Sequence, residues 1–116
     1  MRPVRLALIL APILALSSPA LAQDWQRLGD ADISATLTAH ALVYDDGSEQ
    51  VFFTDGRTLY TAGSGESWGK WWAEGGRYCS TWPPGETPAC YDLDLAAPQV
   101  RFTSDGGGQT LGRFKD

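Results

Sequence analysis

The 116-residue chain is poor in the side chains that carry out most catalytic and metal-binding chemistry. It contains one histidine, His40, and two cysteines, Cys79 and Cys90, with nine basic and fourteen acidic residues. A zinc site needs three or four His, Cys or carboxylate ligands, and bridged cysteines cannot serve as such. Binding to a phosphate backbone needs clustered Lys and Arg. The composition therefore argues against a zinc site and against nucleic-acid binding.

No catalytic motif surrounds the remaining polar residues. His40 lies in Thr38-Ala39-His40-Ala41-Leu42, which predicts a half-exposed strand residue without a nearby nucleophile motif. The acidic segment 45–49 lacks the alternating order of a calcium loop and is predicted to be a solvated turn. The glycine-rich segments 63–65 and 106–108 precede no helix, so we interpret them as hairpin turns and not as phosphate-binding loops. The sequence predicts a protein that is not an enzyme and has no cofactor or metal.

Long apolar runs are absent except at the beginning of the chain. Two arginines precede the run Leu6–Leu16, and Ala20-Leu21-Ala22 behind it matches the small-x-small cleavage rule. The run is too short to cross a hydrocarbon core of roughly 30 Å. We therefore predict that residues 1–22 are a signal peptide and that residues 23–116 are a single domain in the periplasm or outside the cell, without integral membrane association.

The predicted mature domain is strongly acidic. Both charged residues of the predicted signal peptide are arginines, so the formal net charge changes from −5 for the whole chain to −7 for residues 23–116. Such a charge keeps an exported protein soluble, and anionic lipid surfaces repel it. We expect a monomer that binds an unidentified protein or small ligand, and neither nucleic acid nor a membrane.

Turn-forming residues recur every several positions and separate short apolar or alternating runs, which is typical of an all-β protein. Asp55-Gly56 is a strong two-residue hairpin motif. Before the first run, Asp30 can cap a short helix over Ala31–Leu37, with Ile33 and Leu37 on one face. We predict about eight antiparallel strands in a small barrel or curved meander, with this helix at one end or across the sheet. The predicted strands are 38–44, 50–54, 57–62, 67–73, 77–82, 89–94, 99–104 and 109–114.

The two cysteines are predicted to form a disulfide that closes a β-hairpin. An even cysteine number in an exported chain favours a bridge over free thiols, and closing this loop would contribute roughly 2.8 kcal/mol in the chain-entropy model. If Cys79 pairs with Cys90, Trp82 lies opposite Thr87 across a four-residue loop. Pro88 has no N–H, so we expect the second strand, 89–94, to be unpaired on its far side, or to lie at a barrel rim, near this residue.

Tryptophan is the one residue type in excess, with five copies. In a strand, Trp68, Lys70 and Trp72 share one face and Trp71 lies on the other, so one tryptophan should be exposed or pack under the helix or a loop. In one interpretation, Trp68 and Trp72 pack in the core while Trp71 covers a sheet edge. In the other, the aromatic side chains bind a sugar, an apolar ligand or a protein. The candidate binding surface consists of Trp68, Lys70, Trp71, Trp72 and Trp82.

From about Asp32 onward the chain resembles a family of small exported proteins of Gram-negative bacteria, mostly described as domains of unknown function. The resemblance is carried by a Gly-x-Trp strand, Gly69-Lys70-Trp71, and by a Cys-x-x-Trp hairpin that runs from Cys79 to Cys90-Tyr91. It implies a small disulfide-bonded β domain and transfers no catalytic residue. The segment Thr61–Glu66 is also similar to the Ser/Gly-rich loop of one group of periplasmic lysozyme inhibitors, which are small disulfide-bonded barrels as well.

Together, these observations predict a non-catalytic envelope protein that binds a partner or ligand through surface aromatic residues. The alternative is a periplasmic inhibitor of a lysozyme or protease that acts through the loop 63–67. The third possibility is a small hydrolase with two catalytic carboxylates, because many acidic residues are present although no motif selects a pair.

Overall fold

The computed structural model of the protein describes residues 23–116, so the predicted signal peptide lies outside the described residues. The last eight of the nine strands within residues 23–116 each pair antiparallel with their neighbours in sequence, and the first and last of these eight also pair with each other. These eight strands form a closed barrel, which confirms the predicted all-β fold. Within 23–116 the elements are β1 Gln26–Arg27, α1 Asp30–Ala39, β2 Leu42–Tyr44, β3 Glu49–Phe52, β4 Arg57–Ala62, β5 Gly65–Glu74, β6 Arg77–Thr81, β7 Ala89–Ala96, β8 Gln99–Thr103 and β9 Gln109–Phe114.

Side chains alternate between the inside and the outside of the barrel, as the pleat of a strand requires. Residues that lie opposite each other on paired strands point to the same side, so inward residues on one strand adjoin inward residues on the next. Near the helix, most of these inward side chains are apolar. The buried hydrophobic cluster consists of Leu28, Ile33, Leu37, Leu42, Phe52, Trp71, Tyr78, Leu93, Val100 and Phe102.

Helix α1 closes one end of the barrel. Its apolar residues Ile33 and Leu37 are almost fully buried, and the helix packs against β3, β5 and β6. A carboxylate oxygen of Asp30 accepts a hydrogen bond from the backbone N–H of Gly76 at 2.7 Å, which ties the helix to the β5–β6 turn. The helix is far too short to span a membrane, and no helix of residues 23–116 is long and apolar enough to do so.

Two details of the helix differ from the sequence-based prediction. The helix continues through Ala39, because the Thr38 hydroxyl donates to the carbonyl of Ser34 at 2.7 Å and does not enter a strand. The N-cap is Gly29, and Asp30 is the first helical residue. His40 follows the helix directly and stacks on the ring of Phe114 with centroids 3.7 Å apart. It is half-buried, as expected, but it is not a strand residue.

The disulfide hairpin has the predicted register. Cys79 lies opposite Cys90 and is bonded to it, with Cα atoms 4.0 Å apart. Near its beginning, β7 pairs only with β6, since its pairing with β8 starts at Asp92. The expected unpaired side near Pro88 is therefore confirmed. The predicted four-residue loop is wrong: the ladder between β6 and β7 ends at Ser80 opposite Ala89, so the connection between the two strands is longer.

The segment before the helix lies along the outer wall as a short strap. Strand β1 pairs with the second half of β7, and the N–H of Leu28 donates to the carbonyl of Leu93 at 2.9 Å. Arg27 donates to the buried carboxylate of Asp94 at 2.8 Å. The guanidinium of Arg101 lies 4.3 Å from the ring centre of Trp25, so the strap is held by charge as well as by backbone pairing.

Candidate functional site

The end of the barrel opposite the helix is open and contains a cavity of about 730 Å³. We call this cavity, with the residues that line it, the mouth. Its volume lies within the roughly 300–1,000 Å³ typical of small-molecule sites. All four tyrosines of the chain line it. The mouth is lined by Tyr44, Tyr60, Tyr78 and Tyr91, by Trp82, Phe102, Pro83 and Leu111, and by the polar residues Asp45, Asp46, Ser48, Gln50, Ser67, Ser80, Gln109 and Thr110.

The tyrosines meet because each occupies an inward position on a different strand. Tyr78 on β6 lies directly opposite Tyr91 on β7. Tyr60 on β4 lies opposite Gln50 on β3, and Tyr44 on β2 lies opposite Gly112 on β9. A Cβ at position 112 would lie 3.1 Å from the Tyr44 ring, so the glycine leaves room for that ring.

Six aromatic side chains form a continuous series of contacts, which we call the aromatic belt. Neighbouring ring centroids are 5.2–6.4 Å apart and their planes are mostly tilted or perpendicular. These are the separations at which aromatic pairs attract each other. In order of contact, the belt runs through Trp82, Tyr60, Tyr44, Phe102, Tyr91 and Tyr78.

Trp82 reaches the mouth because Gly69 provides the space. A Cβ on Gly69 would lie 2.6 Å from the Trp82 ring and 2.8 Å from the carbonyl oxygen of Thr81. The indole therefore lies against bare backbone of β5. Its ring meets Tyr60 edge-on, with centroids 6.3 Å apart. Any side chain at position 69 would push Trp82 away from this place.

A buried polar chain fixes the floor of the mouth. The Tyr44 hydroxyl donates to Gln50 Oε1 at 2.6 Å, and Gln50 Nε2 donates to the Thr58 hydroxyl at 2.9 Å. Thr58 in turn donates to the carbonyl of Val51 at 2.8 Å. Both Gln50 and Thr58 are buried, and buried polar groups that are fully bonded hold one arrangement. The floor is therefore preorganised and does not need a ligand to order it.

Burial disfavours the ionised form of two phenols of the mouth, Tyr44 and Tyr78. Desolvation raises the pKa of Tyr78 to about 12, although hydrogen bonds with Ser80 and Gln50 oppose the effect. Desolvation raises the pKa of Tyr44 even further. Groups that titrate so far from neutrality are poor general acids or bases at physiological pH. These tyrosines can donate hydrogen bonds and offer ring surface, and their protonation state favours binding over proton transfer.

The formal charges at the mouth are all negative. Asp45 and Asp46 line the cavity from the exposed β2–β3 turn. Asp46 accepts hydrogen bonds from the Ser48 hydroxyl at 2.6 Å and from the Ser48 N–H at 2.9 Å, which lower the pKa of its carboxyl. Among the described residues that line the cavity there is no Lys, Arg or His. Anionic ligands find no partner of opposite charge there.

The five residues of the predicted binding surface do not form one patch. Trp82 lies in the mouth, and Trp71 is buried in the core. Trp68 and Lys70 are exposed on the outer wall, where they border a separate shallow depression. Trp72 is half-buried on the outer wall, next to Cys79 in the neighbouring strand.

The predicted core placement of the tryptophans on β5 is wrong. Trp71 is buried, its Nε1–H donates to the carbonyl of Phe53 at 3.0 Å, and its ring meets Phe52 edge-on at 5.7 Å. Trp68, by contrast, is 47% exposed, which confirms that one tryptophan is on the surface. It stacks on Phe53, and the guanidinium of Arg57 lies 5.1 Å from both ring centres. The face of β5 that carries Trp71 is therefore the inner one, and the face with Trp68 and Trp72 is the outer one.

The sequence interpretation missed the tyrosines altogether. The information that could have found them is the strand alternation: Tyr44 follows Leu42, and Tyr91 precedes Leu93, at the spacing of one face. Each is therefore an inward residue of its strand. What joins four such residues into one site is the closure of the barrel, which no local pattern reveals.

Comparisons with known proteins give no relative from which a site could be transferred. The chain matches no protein-family model, no curated protein and no solved structure. The functional argument therefore rests on the geometry of the mouth.

Proposed function

We propose that this protein is a non-catalytic exported envelope protein that binds a small organic ligand in the mouth of its barrel. The observation that carries the proposal is the open cavity of about 730 Å³ with its aromatic belt and its fully bonded polar floor. Apolar walls with a few fixed polar groups are the usual form of a small-molecule site. The high pKa values of Tyr44 and Tyr78 support binding over catalysis.

The mouth supports this proposal better than the outer wall does. The depression beside Trp68 is smaller, about 350 Å³, and is lined by Arg57, Trp68, Gly69, Lys70 and Pro83. The exposed face of Trp68 is already covered in part by the Arg57 side chain. The mouth is lined by six aromatic side chains and the depression by one, and the rings of the mouth contact neighbours on several strands.

Ligand screening with two tryptophan variants tests the proposal. We expect compounds from a chemically broad fragment library to raise the melting temperature of the purified protein. At a ligand concentration 100 times Kd, the free energy of unfolding should increase by about 2.7 kcal/mol. Trp82→Ala removes one wall of the mouth and should weaken binding about tenfold or more. Trp68→Ala, the matched control on the outer wall, should leave the affinity unchanged. Binding that depends on Trp68 and not on Trp82 would contradict the proposal.

The β4–β5 hairpin supports a second candidate function, inhibition of a secreted lysozyme or protease. Residues 62–68 are all exposed, and the ladder extends to Ala62 opposite Gly65. The hairpin thus projects as a firm, exposed loop, which is the form that protease-inhibitor complexes favour at their contact surface. Inhibition assays against purified lysozymes and proteases, with a Ser64→Arg variant to block contact, test this candidate. No loss of enzyme activity at high protein concentration would remove it.

A further inference from the structure

We propose that the ligand of the mouth carries a positive charge, as a quaternary ammonium or protonated organic amine. The inference rests on the proposed function, because it concerns the same cavity, and it adds the charge of the ligand. Three independent properties of the cavity carry it: the aromatic belt, the sign of the charges at the rim, and the distribution of the protein's own cations.

The aromatic belt lines the cavity with rings from several strands. A ring carries negative charge density on its faces, so a cation near several rings is attracted by each of them, and more strongly where water is excluded. Tyr44, Tyr60, Tyr91 and Trp82 bring rings from β2, β4, β7 and the β6–β7 connection to one cavity. Recognition of quaternary ammonium groups by aromatic cages follows this rule.

The rim and the whole domain reinforce the attraction. Asp45 and Asp46 are the charged residues that line the mouth, and the hydrogen bonds from Ser48 keep Asp46 ionised. Residues 23–116 have a formal net charge of −7, so the field outside the mouth also favours cations. An anionic ligand would be repelled both by the net charge of the domain as it approaches and by Asp45 and Asp46 at the rim. A neutral ligand would gain nothing from either.

The protein's own cations show that rings in this fold attract positive charge and that the mouth rings are left available. On the outer wall, Arg57 lies over Phe53 and Trp68, and Arg101 lies over Trp25. Within residues 23–116, all the cation–ring contacts are of this outer kind, and none involves the aromatic belt. The belt therefore presents its rings to a cation from outside the chain.

Three para-substituted phenols, two of them with the same shape, test the charge of the ligand. Calorimetric titration of the purified protein would use (4-hydroxyphenyl)trimethylammonium, its neutral carbon isostere 4-tert-butylphenol, and the anion 4-hydroxybenzoate. We expect the cation to bind about tenfold or more tightly than the neutral isostere, as a desolvated cation–ring attraction predicts. The anion should bind most weakly. Added salt should weaken the binding of the cation and leave the affinity of the neutral probe unchanged.

Asp45→Asn removes one rim charge without affecting the hydrogen bonds of Asp46. This substitution should weaken the binding of the cation roughly two- to fivefold at low salt and leave the affinity of the neutral isostere unchanged. Asp32→Asn is the matched control, because Asp32 is exposed on the helix at the closed end. It should change neither affinity by more than about twofold.

Equal or tighter binding of 4-tert-butylphenol, or failure of the cation to bind at millimolar concentration, would overturn the inference. Neutral binding that still depends on Trp82 would leave the proposed function standing. If no compound of any charge binds in a Trp82-dependent way, the proposed function fails, and the two failures are thereby distinguished.

Discussion

Tyr78 is a core residue and a wall of the mouth at the same time. Its ring packs against Phe52, Tyr91 and Phe102 with centroids 5.2–6.0 Å apart. Its hydroxyl faces the buried side chains of Ser80 and Gln50. The same burial that stabilises the ring also disfavours the phenolate, so the residue links the stability of the barrel to pH.

The link predicts a loss of stability at alkaline pH. The pKa of Tyr78 is about 12 in the folded protein and about 10 in an unfolded chain, so the unfolded state releases this proton first as pH rises. The contribution is complete below pH 10 and disappears between about pH 10 and 12, with a size of roughly 3 kcal/mol at most. We expect Tyr78→Phe to make this part of the profile less steep, while the slope that remains comes from Tyr44, whose pKa is also raised. Urea unfolding from pH 8 to 11.5 measures it, and identical slopes in both proteins would contradict the assignment.

Gly69 predicts a change in both stability and binding. Gly69→Ala places a Cβ against the Trp82 ring and the Thr81 carbonyl, 2.6 and 2.8 Å away. We expect a loss of about 1–3 kcal/mol, which is typical of overpacking, together with weaker ligand binding in the mouth. Gly106→Ala is the control, because a Cβ there meets nothing within 4 Å. Chemical denaturation of the two variants compares them, and equal stabilities would show that the ring moves aside freely.

At the scale of the element, β5 shows how far the sequence predicts the structure. The alternation correctly places Trp68 and Trp72 on the face opposite Trp71. It does not say which face is inside, because both faces carry indole rings of equal hydrophobicity. The decision comes from distant partners: the Phe53 carbonyl for the Trp71 indole, and the Trp82 ring above Gly69. These contacts exist only after the neighbouring hairpins have folded.

The other elements are predicted correctly where local residues determine the structure and incorrectly where distant contacts do. Apart from β2, the predicted strands agree with the structure to within two residues at each end, because turn residues mark their limits. The prediction fails where helix α1 continues into Thr38 and Ala39, since a β-branched residue there favours a strand locally. The two-residue β1 was also missed, because it is held by β7 and by the Arg27–Asp94 contact and not by a pattern of its own.

The two faces of β5 predict unequal effects of the same substitution. Trp71→Ala empties a buried site and removes a partner of the Phe53 carbonyl, so we expect a loss of about 3–5 kcal/mol. Trp68→Ala removes a side chain that is 47% exposed, and should cost less than about 1 kcal/mol. Urea unfolding of both variants provides the comparison. The reverse order would mean that β5 has the opposite face inward.

At the scale of the whole molecule, the barrel separates stability from binding. The helix end is filled with apolar side chains such as Ile33 and Leu37, which are almost fully buried. The opposite end holds the tyrosines and the carboxylates around an open cavity. An open cavity contributes little packing, and the closed end compensates for it.

This division predicts that the two ends can be altered independently. Leu37→Ala should destabilise the protein by about 2–5 kcal/mol, as for other fully buried leucines. The affinity of a mouth ligand, measured by titration at a temperature where the variant remains folded, should stay within about twofold of the original. Tyr60→Phe tests the converse. It changes a residue of the mouth and keeps the ring, so the free energy of unfolding should stay close to that of the original protein. A large loss of affinity in Leu37→Ala would show that the two ends are coupled.

The pairing of β2 with β9 has a consequence for folding. Every other neighbouring pair in the barrel joins consecutive strands, whereas this one brings Leu42 beside Phe114. Contacts between such distant parts of a chain form late and slowly. Until β9 arrives, β2 and β8 each present a free edge, and free edges recruit strands from other molecules. A chain shortened before Gln109 should therefore self-associate in proportion to its concentration, and the last strand acts as the safeguard against aggregation.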